Sequence, residues 1–332
     1  AEFLEGYADF LECHVEAWTV TTEGTLVPEI QRHFIRIHPV DVYNPCPNED
    51  PNHGDLTISN RPPKAQTEFL AKEIVDAGFL ELVRYGIRRP TDSLIVDSLS
   101  VVDGVLKVET PFGPCWRRYN HDGYGQREDG GSFDGWGKGR AWPLLTGERG
   151  HYELAAGHNA KSFIRAMEGF SSGTGLLPEQ IWDEANRSKA YIHLGRPTGS
   201  AMPLMWAHAE YIKLLRSVYD GQVFDLIPEV ADRYIKNSKS CKPLEIWKPN
   251  RQVCTVKKRC TLRIMAPAPF RLHWSGNDWQ TVEDTPSFPT SLGIEFVDIP
   301  VAATQHAPIR FTFFWTGSGR WEGRDYEVAV QS

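Results

Sequence analysis

The sequence lacks the features that define several large protein classes. No apolar run approaches the roughly 20 residues that a membrane-spanning helix needs. Basic runs are short, and 36 Lys and Arg against 43 Asp and Glu give a net charge of −7, which argues against a nucleic-acid partner. No Gly-x-Ser-x-Gly elbow, phosphate-binding loop or dinucleotide fingerprint is present. The missing patterns argue against a membrane protein, a nucleotide-dependent enzyme and a serine hydrolase of the α/β type.

Metal and redox chemistry also find little support. The six cysteines contain no CxxC pair, so a zinc site or a thioredoxin-type motif is not indicated. We expect no cofactor, with calcium in the loop 44–55, near Asp50 and Asp55, as the single alternative. Cys254 and Cys260 are close enough in sequence to close a short hairpin, but scattered reduced thiols are the favoured interpretation.

The first two thirds of the chain show helical periodicity. Apolar residues recur at spacings of three and four, which predicts about six helices, near 3–18, 67–85, 92–108, 141–156, 160–170 and 199–218. Long loops over 111–139 and 171–198 separate several of them, and long loops in a compact domain usually carry function. Antiparallel helices with elaborate loops at one end indicate an α/α toroid over residues 1–240.

The last third of the chain has a different pattern. Short alternating or apolar runs separated by Pro, Gly, Asn and Asp predict strands at about 253–256, 261–266, 270–274, 280–282, 293–299, 309–315 and 326–330. Their spacing favours an all-β sandwich over residues 241–332. Four of its Trp residues have two open interpretations, namely glycan binding at the surface or core packing: Trp274, Trp279, Trp315 and Trp321.

Two loop segments carry polar groups that helix packing does not require. Glu179 and Gln180 follow a proline in the loop 171–198, although a solvated carboxylate would also fit there. Arg118, Asp122 and Tyr124 lie in a glycine-rich loop, and planar donors, a carboxylate and aromatic faces suit a polyhydroxylated ring. An ion-paired structural loop is the alternative for this second segment.

A third segment lies at 195–211. We predict that Ser200 caps the helix that follows. Trp206 is either a platform for a sugar ring or a core residue, and His208 is interpreted as a packed histidine.

Several segments together resemble glycoside hydrolase family 15, the glucoamylase and glucodextranase family, and its bacterial members in particular. The segments occur in the family's order and comprise 72–83, 118–125, 142–154, 177–183 and the helix that contains Trp206. The resemblance implies a toroid of twelve helices, of which this chain would supply the second half. It also implies an exo-acting, inverting attack on α-glucosidic bonds at non-reducing ends.

The resemblance further implies roles for individual residues. Glu179 matches the general base that activates the attacking water, and Gln180 stands beside it. Arg118 and Asp122 match positions that hold the innermost glucose. Tyr124 and Trp206 match aromatic positions that line the pocket.

The resemblance fails at the general acid, which the family carries in a Trp-Glu-Glu-like segment of the first half of the toroid. We find no such segment here, and Trp321-Glu322 lies in the β region. The chain also begins at Ala1 without Met and inside a helical pattern, which we interpret as an internal boundary. We therefore expect an N-terminal polypeptide that completes the toroid and supplies the acid.

The sequence thus predicts a glycoside hydrolase subunit acting on an α-glucan, oligosaccharide or disaccharide. The linkage is left open between α-1,4, α-1,6 and α,α-1,1. The alternatives are an α-glucosyl transferase on the same scaffold and a non-catalytic glycan-binding or assembly subunit. An extracellular or periplasmic location is slightly favoured over a cytoplasmic one.

Overall fold

The described helices lie in about the first two thirds of the chain and the two largest sheets lie in the last third, as the sequence predicts. The computed structural model describes residues 2–37, 50–188, 192–237 and 243–331. The described residues fall into two units. The larger unit contains residues 16–37, 50–188 and 192–237, and the smaller unit contains residues 2–15 and 243–331.

The helices carry clear local start and stop signals. In chain order they are α1 (Glu2–Thr19), α2 (Leu80–Arg84), α3 (Ser93–Leu106), α4 (Pro143–Ala155), α5 (Lys161–Phe170), α6 (Met205–Asp220) and α7 (Pro228–Ala231), followed by a π-helical turn over Asp232–Lys236. The Asp92 side chain accepts a hydrogen bond from the Leu94 N–H at the start of α3, which satisfies one free donor of the first turn. Pro143 opens α4, where its missing N–H costs nothing. Gly221 ends α6 at φ 68°, a conformation that glycine adopts without a Cβ penalty.

The larger unit also contains three small antiparallel sheets. They are formed by β1 (Val20–Thr21) with β2 (His33–Phe34), by β3 (Asp55–Thr57) with β4 (Glu68–Leu70), and by β5 (Lys107–Thr110), β6 (Gly113–Arg117) and β7 (Ala141–Trp142). α4 packs against α2, α5, α6 and β6, so it lies at the centre of this unit. Strand β6 of the three-stranded sheet lies within the loop that the sequence predicts at 111–139. Strand β7 follows this loop and leads directly into α4.

The helix predicted at 67–85 is wrong over most of its length. The structure has β4, a 3₁₀ turn over Ala71–Glu73 and the short α2 instead. The backbone groups that a helix would use internally are bound elsewhere: Val75 N–H donates to Asn120 Oδ1, and Ile74 C=O accepts from Arg36 N–H. Because Ile74 and Val75 are fully buried in this extended segment, tertiary packing overrides the helical spacing.

The helix predicted at 199–218 starts later than expected, at Met205. Residues 201–204 are not helical, because they pair with the opposite segment: Glu179 N–H donates to Ala201 C=O and Leu204 N–H donates to Leu177 C=O. Pro203 follows a cis peptide bond. Ser200 therefore does not cap α6, and its Oγ accepts a hydrogen bond from Gln180 N–H.

The smaller unit contains two sheets that contribute to one hydrophobic core. The first sheet has the order β13 (Phe288–Pro289), β14 (Glu295–Pro300), β10 (Thr261–Ala266) and β8 (Leu244–Trp247). The second has the order β12 (Glu283–Pro286), β11 (Phe270–Ser275), β15 (Ile309–Trp315), β17 (Tyr326–Gln331) and β9 (Thr255–Lys257), with β16 (Arg320–Trp321) paired to β15. Trp247, Leu272 and Phe311 lie in the shared core.

Most strand predictions agree with these bounds, but the strand predicted at 280–282 does not form. A turn holds this segment because Gln280 and Thr281 N–H donate to the C=O and Oδ1 of Asn277. The next strand, β12, begins at Glu283.

The cysteine predictions are partly wrong. Cys13 and Cys254 each take part in a disulfide, so the interpretation as scattered reduced thiols does not hold for either of them. Cys260 is free, which excludes the proposed Cys254–Cys260 pair. Part of the predicted calcium loop, 44–49, lies outside the described residues.

Within the described ranges, no helix combines the length and the apolar character needed to cross a membrane.

Candidate active site

Three of the predicted site residues come together in one cavity of the larger unit. Its volume is about 470 Å³. The lining consists of small, aromatic and amide side chains with a single carboxylate among the described residues: Tyr124, Gly125, Gln126, Gly130, Ser132, Phe133, Glu179, Gln180, Gly199, Ser200 and Ala201. A cavity of this size fits a small ligand such as one or two sugar rings.

A backbone ladder fixes the position of Glu179. Residues 177–182 pair with residues 195–204 through successive main-chain hydrogen bonds, including Trp182 N–H to Arg196 C=O. On the other side, Ile181 N–H donates to Ala141 C=O in β7. Glu179 therefore projects from an extended segment held on both sides, although the loop has no regular secondary structure of its own.

The Glu179 carboxyl faces one hydroxyl donor and one cation. Both of its oxygens lie 3.4 Å from Tyr124 Oη. Burial raises the pKa of Glu179 above its ordinary value, while the Tyr124 hydrogen bond and the Arg118 charge act in the lowering direction. Since the donor and the cation both stabilise the ionised form, they counter the tendency of burial to protonate the group.

Gln180 links the two loops that form the cavity. Its Nε2 donates to Tyr124 C=O at 2.9 Å, and its side chain is buried. The sequence places Gln180 beside Glu179, and in the structure its amide holds the backbone of Tyr124.

Arg118 and Asp122 form a bidentate ion pair beside the cavity. Arg118 Nε and Nη2 donate to the two carboxylate oxygens of Asp122 at 2.9 and 3.1 Å. The Arg118 guanidinium carbon lies 4.9 Å from the ring centre of Tyr124 and 5.0 Å from that of Trp142. This geometry leaves Nη1 of Arg118 without a hydrogen-bond partner among the described residues.

Asp122 acts in this structure by orienting Arg118. The Asp122 side chain is 1% exposed, and Oδ1 also accepts from Tyr124 N–H and Asn60 Nδ2. Direct contact of Asp122 with a sugar therefore stays a prediction, whereas its role in holding Arg118 is visible.

Close backbone approach explains why this loop needs glycines. A Cβ at Gly123 would collide with the Asn60 carbonyl, and a Cβ at Gly137 would collide with the Gly125 carbonyl. Only glycine allows the loop to approach Asn60 and to fold back on itself at Gly137.

A buried ion-pair network holds the glycine-rich loop that contains Gln126 and Arg127. Arg140 donates to Asp183 Oδ1 at 2.7 Å and to the carbonyls of Gln126 and Arg127. Arg117 Nε reaches the second Asp183 oxygen at 2.7 Å. Because Asp183 follows the Glu179 segment and Arg140 precedes β7, this network joins the two walls of the cavity.

The sixth predicted residue, Trp206, is not among the residues that line the cavity. It lies in the first turn of α6 and is 68% exposed, so the structure does not pack it in a core. Its role as a sugar platform stays a prediction.

Among the lining residues that the sequence analysis did not assign to the site, Phe133 and Ser200 bear most on the chemistry of the cavity. Phe133 packs edge-on against Tyr124, with ring centres 5.1 Å apart, and Ser200 lies in the lining rather than at a helix start. Exposed aromatic residues in the glycine-rich loop 130–139 were the available signal for the first. No local pattern distinguishes a lining serine from a helix cap.

We expect Tyr124→Phe to raise the pKa of Glu179, because the hydroxyl that stabilises the carboxylate is removed while burial remains. The shift can be measured by carboxyl NMR titration of the chain. Tyr119→Phe, whose ring also contacts Arg118, is the matched control and should leave Glu179 unchanged. An unchanged Glu179 pKa in Tyr124→Phe would refute the hydrogen bond.

Comparisons with known proteins agree on one relationship. Residues 51–216 match the family model described as Glycosyl hydrolases family 15. A glucoamylase of Clostridium sp. (strain G0005) is 43% identical over 235 residues, which is 71% of this chain and 30% of that protein. A crystal structure of bacterial glucoamylase complexed with acarbose superposes with a TM-score of 0.59 at 41% identity.

The structural match covers 69% of this chain and 31% of the crystallised glucoamylase. The chain thus spans less than a third of the length of either relative. The family match includes the segments of Arg118, Tyr124 and Glu179, which form or adjoin the cavity. On this match and on the identity to the Clostridium protein, the chain belongs to glycosyl hydrolase family 15.

Proposed function

We propose that this chain supplies the general base of an exo-acting, inverting α-glucoside hydrolase that releases glucose from non-reducing ends. The observation that carries the proposal is the position of Glu179, the one carboxylate among the described lining residues of the cavity. The glucoamylases to which the chain is similar support the α-glucosidic substrate. Acarbose, an oligosaccharide mimic, is bound by one of them.

In the proposed reaction, Glu179 takes a proton from a water molecule as that water attacks the anomeric carbon. A carboxylic acid on the other side of the sugar protonates the departing glycosidic oxygen. The new C–O bond forms on the face opposite to the broken one, which inverts the anomeric configuration. Two carboxyl groups about 6.5–9.5 Å apart leave room for the water.

The chemistry of the cavity supports binding of a neutral sugar. Nη1 of Arg118 is available to a ring hydroxyl, since its other two donor groups hold Asp122. Tyr124 and Phe133 offer aromatic surface, which packs against the apolar face of a pyranose. The proposed reaction needs no metal or redox cofactor.

We propose that the general acid comes from a polypeptide, or from another part of the same precursor, that completes the α/α toroid. The length comparison supports this, since the chain spans less than a third of its relatives. The surface of α6 supports it as well, because Met205, Ile212 and Tyr219 recur every seven residues and are all exposed. Such a stripe normally packs against another helix.

Native and denaturing masses of the protein purified from its source test this second proposal. We expect a second polypeptide to accompany the chain, or a single longer chain that contains it. A solitary, monomeric chain of 37.6 kDa would refute the completed toroid and leave glycan binding as the function to test.

The stereochemistry of the first product tests the proposed reaction. We expect the assembled protein to release β-glucose from an α-glucan, as observed by ¹H NMR before mutarotation. Net formation of α-glucose would contradict the inverting mechanism, and products longer than the substrate would indicate an α-glucosyl transferase.

We also propose an extracellular or periplasmic location. The disulfide-bonded Cys13 and Cys254 support it, because disulfides persist mainly in oxidising compartments.

A further inference from the structure

The outward face of the six-stranded sheet in the smaller unit carries a group of aromatic and charged side chains. In β11, Phe270 and Leu272 point into the core, whereas Arg271 and His273 point away from it. Cross-strand register places Arg271 opposite Phe314, and Phe314 opposite Trp321. The same register places His273 opposite Asp284, so these side chains share one face of the sheet.

We define the aromatic patch as Arg271, His273, Trp279, Asp284, Phe314 and Trp321. Trp279 stacks on His273 with ring centres 5.7 Å apart and an interplanar angle of 24°. Trp321 packs edge-on against His273 and Phe314, with ring centres 5.4 Å and 5.1 Å apart, respectively. Trp321 is 49% exposed, so a large indole surface is open to solvent.

Polar groups of the patch are interleaved with these rings. His273 Nδ1 lies 3.0 Å from Asp284 Oδ1, and Arg271 Nε lies 3.4 Å from the same oxygen. The Arg271 guanidinium carbon is 4.9 Å from the ring centre of Phe314. One cation and one anion thus lie within reach of anything that stacks on the indoles.

The turn that presents Trp279 is held in an unfavourable backbone conformation. Asp278 and Trp279 have φ of 54° and 64°, the left-handed region that is unfavourable for most residues other than glycine. Ser275 and Asn277 maintain the turn, since Ser275 Oγ accepts from Trp279 N–H and Asn277 Oδ1 accepts from Thr281 N–H. A glycine would remove the strain, so the turn is more costly than a simple connection requires.

The other two Trp residues of this region have structural roles. Trp274 and Trp315 pack against the hydrophobic core, and their Nε1 atoms donate to Thr285 Oγ1 and Glu322 Oε2. Of the two interpretations that the sequence leaves open, core packing therefore applies to Trp274 and Trp315. Surface presentation applies to Trp279 and Trp321.

We propose that the aromatic patch is a binding site for a neutral glucan chain, separate from the cavity of Glu179. The exposed indole of Trp321 and the imidazole–indole stack provide flat apolar surface for the C–H faces of pyranose rings. Arg271 and Asp284 supply a donor and an acceptor for ring hydroxyls. Because the two charges pair with each other, the patch has no excess of one sign and favours an uncharged ligand over a polyanion.

The choice of an α-glucan among neutral glucans rests on the proposed function, whereas the patch itself does not depend on catalysis. Binding should therefore be measured with the Arg118→Ala variant of the full chain, in which the cavity of Glu179 is impaired. Failure of the hydrolase proposal would leave this measurement unaffected, and the two are distinguishable.

The experiment is affinity gel electrophoresis of the full chain in gels that contain soluble amylose, dextran, barley β-glucan or polygalacturonate. We expect retardation by an α-glucan, and a loss of about tenfold in affinity in Trp321→Ala and in Trp279→Ala, which corresponds to about 1.4 kcal/mol per aromatic contact. Phe288→Ala removes an exposed aromatic ring of the other sheet and should bind as the parent does.

Trp279→Gly provides a second variant in which the strained turn is relaxed while the indole is lost. It should fold at least as stably as the parent and still bind weakly, which separates binding from stability. Retardation by no neutral glucan, by polygalacturonate alone or by barley β-glucan alone would overturn the proposal. Retardation that persists unchanged in Trp321→Ala and Trp279→Ala would overturn it as well.

Discussion

Glu179→Gln is expected to lower the rate of hydrolysis by the assembled enzyme at least about 100-fold, the scale that general base catalysis contributes. The amide keeps the size of the side chain and can still accept the Tyr124 hydrogen bond, but it cannot take a proton from water. Substrate affinity should change much less than the rate, because the Arg118–Asp122 pair is untouched. Initial rates on maltooligosaccharides with the assembled protein give both quantities.

The matched control is Glu128→Gln, which removes an exposed carboxylate from the glycine-rich loop without touching the lining of the cavity. It should retain parental activity. Full activity in Glu179→Gln would dispose of the catalytic assignment. Azide provides a further check in Glu179→Ala, since this anion needs no deprotonation and should restore turnover by forming a β-glucosyl azide.

Arg140→Met is expected to destabilise the larger unit by about 3–5 kcal/mol, the typical cost of removing one partner of a buried ion pair. Arg140 and Asp183 are both 0% exposed, so the substitution leaves a buried carboxylate with Arg117 as its remaining cation. The carbonyls of Gln126 and Arg127 also lose their donors. Urea unfolding followed by circular dichroism measures the change.

The control for this prediction is Arg216→Met, which breaks an exposed pair with Asp220 and should cost less than about 1 kcal/mol. Equal effects of the two substitutions would show that the buried network does not hold the loops together. Because Arg140 joins both walls of the cavity, we also expect weaker substrate binding in Arg140→Met at temperatures where it remains folded.

Local signals predicted some elements almost to the residue. β10 and β15 have the predicted bounds, and α5 begins one residue later than predicted. In each of these segments the apolar residues that define the helical or strand spacing are the ones that the fold buries. The sequence pattern and the packing therefore agree. The segment 67–85 has equally clear spacing, yet its buried Ile74 and Val75 are extended because Asn120 and Arg36 bind the local backbone.

In the site, too, residue types could be predicted from the sequence, whereas contacts between distant segments could not. The sequence identified Glu179, Gln180, Arg118, Asp122 and Tyr124 from residue type and from the family resemblance. It did not predict that Gln180 holds the Tyr124 backbone or that Ser200 joins the lining, since these contacts cross 56 and 20 residues of chain.

The family, the division into a helical and a strand-rich part, and the residue types available for sugar chemistry could all be predicted from the amino-acid sequence. Those properties depend on composition, periodicity and motifs that are read within a short stretch of chain. The folded chain was needed to establish which carboxylate enters the cavity beside Tyr124, and which Trp residues are buried and which are exposed at the surface. Burial and hydrogen-bond partners depend on segments far apart in sequence, because each is fixed only when those segments pack together.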